Sequence, residues 1–143
     1  MKAICNGRFI LPQEIREGQA LLFQEKILGF CSPDRIPPEA ERIDVQGDYV
    51  SPGFLNLHIH GCGGKDVMDG TQEALRTMSR LLPSTGVTGW LPTTMTSGRG
   101  AITQALTAIR GAQGTVAGAE ILGANLEGPF ISEKYKGAQK ACH

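Results

Sequence analysis

The stretch Pro52-Gly53-Phe54-Leu55-Asn56-Leu57-His58-Ile59-His60-Gly61 decides how this chain reads. It opens on a Pro-Gly turn, continues as an apolar strand and ends on two histidines and a glycine. Successive side chains on a strand point to opposite faces, so His58 and His60 share one. Two imidazoles held side by side, with backbone room beyond them, suit a divalent metal. A bare HxH is also compatible with two unrelated histidines, so the neighbouring segments must decide.

Downstream the pattern alternates. Gly61-Cys62-Gly63-Gly64-Lys65-Asp66 reads as a glycine-rich loop. A helix is predicted over 71–82, with Thr71 as N-cap, Pro83 as stop and Ala74, Leu75, Met78, Leu81 and Leu82 as its apolar stripe. A strand follows over 88–94, then a helix over 99–112 that buries Ile102, Ala105, Leu106 and Ile109. A third strand is predicted over 120–127. Strand–helix–strand–helix–strand with parallel connections opens either an α/β barrel or a doubly wound sheet.

Polar groups fall at the ends of these strands: His58 and His60, then Thr93 and Thr94, then Glu127. A (β/α)₈ barrel builds its site from residues at the C-terminal strand ends. Alone, Glu127 before Gly128-Pro129 reads as a solvated acid or a cap. With two histidines on the same rim it completes a His₂–carboxylate cluster.

Residues 1–51 differ. Short strand-like runs at 3–6, 8–11, 20–23, 26–30 and 43–45 are separated by turn signals at Asn6-Gly7, Glu17-Gly18, Gln24-Glu25 and Pro33-Asp34. They predict a small antiparallel, sandwich-like β unit, followed by an α/β unit over 52–143.

Composition excludes several classes. The chain has 143 residues, formal net charge zero and no block of like charge, so it lacks the basic footprint of a nucleic-acid binder. No apolar run reaches the roughly 18 residues needed to cross a bilayer, and the N-terminus lacks a signal-peptide core. A soluble, cytoplasmic protein is expected, with Cys5, Cys31, Cys62 and Cys142 reduced. Cys62 is not expected to be a ligand, because Gly61 and Gly63 mark the chain leaving the strand.

The segment 51–61 resembles the first-strand signature of the amidohydrolase superfamily, in which an N-terminal β unit precedes a metal-binding barrel. The loop Gly61–Thr71, the run Gly86-Val87-Thr88-Gly89-Trp90-Leu91-Pro92-Thr93-Thr94, the segment Leu126-Glu127-Gly128-Pro129-Phe130-Ile131 and the follow-on Lys136-Gly137-Ala138-Gln139 narrow it. Together they resemble the N-acetylglucosamine-6-phosphate deacetylase family. The resemblance implies a metal-dependent hydrolase with one or two divalent ions, zinc, iron or similar. It implies Glu127 as a metal ligand, with His58 and His60 holding a second ion in two-metal members. It also implies Ala138 and Gln139 as substrate-binding residues at the sugar site, Gln139 standing where many relatives have His. Asn56 replaces the usual Asp and is expected to point away from the histidines. The implied substrate is a phosphorylated amino sugar, and full-length relatives are expected to be homodimers.

The resemblance also places further histidines and a catalytic Asp downstream of His143. After the β unit only about 90 residues remain, against about 250 for a complete barrel. The expectation is therefore an incomplete barrel of three strands and two helices, inactive alone. Two alternatives are another amidohydrolase of dihydroorotase or dihydropyrimidinase type, and a non-catalytic fragment.

Overall fold

In the computed structural model, which describes residues 1–139, the chain divides into two units, Met1–Pro52 and a second beginning at Gly53. The first holds seven short strands: β1 (Lys2–Cys5), β2 (Arg8–Ile10), β3 (Ile15–Arg16), β4 (Ala20–Phe23), β5 (Ile27–Cys31), β6 (Glu41–Asp44) and β7 (Tyr49–Val50). They form two sheets, in the orders β5-β4-β1-β6 and β3-β2-β7. Phe9 of β2 is buried and meets Phe30 of β5 edge to face, with ring centroids 5.0 Å apart. The expected antiparallel unit is mixed. β1 runs antiparallel to β4 but parallel to β6, and β2 runs antiparallel to β3 but parallel to β7. A parallel partner needs a crossover rather than a tight turn. The connector through Pro37-Pro38 supplies it for β6, with Ile36 and Ala40 buried beneath.

The second unit contains β8 (Phe54–Ile59), β9 (Gly61–Cys62), β10 (Lys65–Asp66), α1 (Gln72–Leu81), β11 (Val87–Pro92), α2 (Arg99–Ala112) and β12 (Glu120–Ile121). β8, β11 and β12 form a parallel sheet in the order β12-β11-β8. The glycine-rich loop is a hairpin: β9 pairs antiparallel with β10 through Gly63 and Gly64, at φ 62° and 72°. A two-residue turn with left-handed backbone at both positions selects glycine.

α1 begins where its cap predicts, with Thr71 Oγ1 accepting the N–H of Ala74 at 3.2 Å. Pro83 does not stop the chain abruptly; a 3₁₀ turn over Leu82–Thr85 follows and closes at Gly86. Helices α1 and α2 bury Leu75, Met78, Ala108, Ile109 and Ala112 against Val87, Trp90 and Ile121 of the sheet. Leu106 is only partly buried, and Leu81 is exposed. Trp90 is fully buried and donates its indole N–H to Ser79 Oγ at 3.1 Å. On the sheet face away from Trp90, Leu55 and Leu122 close over Gly89, where a Cβ would lie 2.9 Å and 3.0 Å from their methyls.

The third strand is shorter than expected. β12 ends at Ile121, and pairing resumes only at a single bridge between Thr93 and Asn125. Ile121 lies opposite Trp90 and Asn125 opposite Thr93. The β12 side therefore spends one residue more than β11 over this interval, and the ladder opens around Gly123.

Candidate metal centre

The C-terminal ends of the three parallel strands meet at one polar cluster. Thr93, fully buried, ties them together. Its hydroxyl accepts the N–H of Ile59 from β8 at 3.0 Å and an N–H of the Asn125 side chain at 3.3 Å, and donates to the Leu91 carbonyl at 3.2 Å. The Thr93 carbonyl lies 3.1 Å from His60 Nδ1. A carbonyl can only accept, so Nδ1 carries the proton there. A neutral His60 then presents a lone pair at Nε2, the form that ligates metals.

His58 Nε2 lies 3.2 Å from His60 Nε2 and 2.7 Å from Glu127 Oε2; His60 Nε2 lies 3.2 Å from the same oxygen. One ligand atom from each of the three residues falls within 4.8 Å of the others. Glu127 Oε2 is buried and receives no hydrogen bond of acceptable geometry, although both imidazoles face it. A divalent ion among these three atoms would take a donor from each residue, and an N₂O donor set suits zinc, iron and similar divalent ions. His58 is more than half exposed, which leaves one side of the cluster open to solvent.

Asn56 adds a detail that alternation alone misreads. Residues 56 and 58 differ by two, so a regular strand would put them on one face. In the ladder Asn56 stands opposite Trp90 and Ile59 opposite Pro92, so β8 spends three residues where β11 spends two. This irregularity takes Asn56 out of phase with His60, and its Oδ1 accepts the N–H of His58 at 3.1 Å. After Glu127 the chain turns at Gly128 (φ 67°), where a Cβ would fall 2.0 Å from Thr96 Oγ1.

Ala138 is exposed on the wall of a cavity of about 390 Å³ beside the cluster, bordered also by Asp69, Met95 and Thr96. Gln139 is buried and donates its side-chain amide to Glu127 Oε1. Cys62 lies outside the cluster, packed against the helix-side core, and burial pushes its thiol above the usual range. Sequence reading missed the supporting roles of Thr93, Asn125 and Thr96. Their bonds join residues more than thirty apart, and no local pattern announces them.

Fold and cluster together define an α/β protein with a His₂–carboxylate centre at parallel strand ends. A deacetylase of N-acetylglucosamine 6-phosphate from Bacillus subtilis (strain 168) is 43% identical over 107 residues, 71% of this chain and 27% of that protein. An N-acetylgalactosamine-6-phosphate deacetylase from Escherichia coli O157:H7 is 37% identical over 140 residues, 96% of this chain and 36% of that protein. The crystal structure of N-acetylglucosamine-6-phosphate deacetylase from Pasteurella multocida superimposes with a TM-score of 0.85 at 28% identity, covering 98% of this chain and 37% of that one. No protein-family model matches the chain. The chain thus resembles amino-sugar-phosphate deacetylases, in two of the three matches over nearly its whole length, and spans about a third of theirs.

Proposed function

We propose that this chain is the N-terminal part of a metal-dependent deacetylase that hydrolyses N-acetylglucosamine 6-phosphate to glucosamine 6-phosphate and acetate. The observation that carries the reading is the convergence of His58, His60 and Glu127, with Glu127 Oε2 buried and without a hydrogen bond. Three parallel strands neighbouring in chain order, with both helices packed against a common core and the cluster at their C-terminal ends, support a (β/α)₈ barrel of which this is the opening. The 1–51 unit and the barrel segment from 52 then form the two domains of this part.

A divalent ion at the cluster would supply Lewis acidity for activating water toward a pKa of about 7 and for polarising an amide carbonyl. His58 and His60 would hold it through Nε2 and Glu127 through Oε2. Thr93 keeps the His60 lone pair aimed at that point. The exposed flank of His58 leaves room for water and the acetyl group, and Ala138 and Gln139 border the cavity assigned to the sugar. The proton required by the leaving amine is assigned to an aspartate outside this sequence. Among the described residues no helix is long and apolar enough to cross a membrane. A cytoplasmic homodimer is the proposed setting of the whole enzyme.

Two assays test this. Acetate release from N-acetylglucosamine 6-phosphate is expected to be absent from the 143-residue chain supplied with zinc; turnover comparable to a full-length relative would overturn the fragment reading. Joined in frame to the remainder of the Bacillus subtilis relative, the chain should restore turnover, and Glu127→Ala in that chimera should abolish it. Because one relative, 37% identical over 140 residues, is an N-acetylgalactosamine-6-phosphate deacetylase, that sugar phosphate belongs in the same assay.

A further inference from the structure

Beyond the three converging atoms, a buried side chain reaches the Glu127 carboxylate itself. Gln139 is only 6% exposed, and both ends of its amide are engaged. Oε1 accepts the backbone N–H of Thr96 at 2.9 Å, in a buried bond. Nε2 donates to Glu127 Oε1 and lies 3.8 Å from Met95 Sδ. The two ends fix each other. The amide's oxygen and nitrogen are distinguished by their partners. A backbone N–H accepts nothing, so oxygen belongs at Thr96 and the NH₂ faces the carboxylate. Rotated by half a turn, the amide would set N–H against N–H and oxygen against a carboxylate, both buried.

Resting on the metal reading above, we propose that Gln139 is a positioning residue that holds Glu127 as a one-oxygen ligand. With Oε1 engaged by Gln139, Oε2 alone faces the imidazoles, at 2.7 Å from His58 Nε2 and 3.2 Å from His60 Nε2. Two-oxygen ligation would swing Oε1 toward the same point and break its bond to the amide. Thr96 anchors the amide through the main chain, so the restraint survives changes in the Thr96 side chain. This contact is with the ligand itself and is separate from the sugar-site role that the resemblance gives to position 139. A histidine there retains a ring N–H and can make the same donation.

The test compares the full chain with Gln139→Met, which keeps length but has no donor, and Gln139→His, which keeps one. Zinc affinity is read by competition with a chromophoric chelator, and cobalt(II) reports coordination number through its visible bands. Gln139→Met should bind zinc about 10- to 100-fold more weakly, as expected for loss of an outer-shell partner. Its cobalt bands should lose intensity as the freed carboxylate adds a second oxygen. Gln139→His should stay close to wild type in both. Equal affinity and an unchanged cobalt spectrum in a folded Gln139→Met chain would overturn the inference. Should that variant not fold, the Gln139 side-chain amide protons of the wild type decide by NMR: slow solvent exchange supports the contact, and rapid exchange overturns it. A wild type that binds neither ion refutes the metal reading itself, an outcome distinct from equal binding by both chains.

Discussion

At the scale of single residues, Thr93 and Glu127 make opposite contributions. The Thr93 hydroxyl joins three segments, so Thr93→Val leaves the Ile59 N–H and the Asn125 amide without their acceptor. Stability should fall by about 1–3 kcal/mol, measured by urea unfolding. Glu127 instead keeps a buried oxygen without a hydrogen bond, an arrangement that costs folding and that the proposed metal role would explain. Glu127→Gln should therefore leave the metal-free melting temperature undiminished while removing the upward shift that zinc gives the wild type. A drop in the metal-free melt would show that the carboxylate is structural. The histidine pair was legible in the sequence because it ends an apolar run, a local feature, whereas Glu127 was expected at the end of a third strand that in fact stops at Ile121. Thr93 was visible only as a polar residue at a strand end. Its partners lie more than thirty residues away, and only the assembled sheet brings them to it.

At the scale of elements, the helices were more legible than the strands. α2 spans Arg99–Ala112 as its periodicity predicts, and α1 starts at its Thr71 cap. Capping and periodicity are written within a few residues, whereas register depends on the neighbouring strand. The over-long third strand and the antiparallel reading of the first unit fail for that reason. Two contacts lock α1 in place. Ser79 accepts the Trp90 indole N–H, so Ser79→Ala orphans a buried donor and should cost about 1–3 kcal/mol in chemical denaturation. Gly118, at φ 102°, allows the chain entering β12 to pass over α1, and Ala119 donates its N–H to the Ser79 carbonyl at 2.8 Å. A Cβ at 118 would lie 2.2 Å from that carbonyl oxygen and 3.0 Å from Arg80 Cα. Backbone cannot step aside as a side chain can, and the left-handed φ adds strain. Gly118→Ala should cost about 2–4 kcal/mol, more than Ser79→Ala by the same measurement.

At the scale of the whole molecule, the parallel sheet has one face covered by helices and one open. Leu55 and Leu122, which close over Gly89 on the open face, are 61% and 45% exposed. Leu57 and Leu126 are similarly exposed, and β8 and β12 are both edges of the described sheet. Parallel sheets are ordinarily covered on both faces, and exposed apolar edges template association. Relatives of about three times this length have further chain available to cover such a face. The 143-residue chain in isolation should therefore bind a hydrophobic dye and shift to higher mass with concentration in size-exclusion chromatography with light scattering. Leu55→Lys combined with Leu122→Lys should suppress both effects. Those leucines face away from Trp90 and the helix-side core, so the substitutions should leave the helical circular dichroism unchanged. A wild-type chain that stays monomeric and dye-free at every concentration would mean that the described sheet has found its own cover. In that case the open face would carry no argument for a missing remainder, and the His58–His60–Glu127 centre would have to be judged as the site of a self-contained domain.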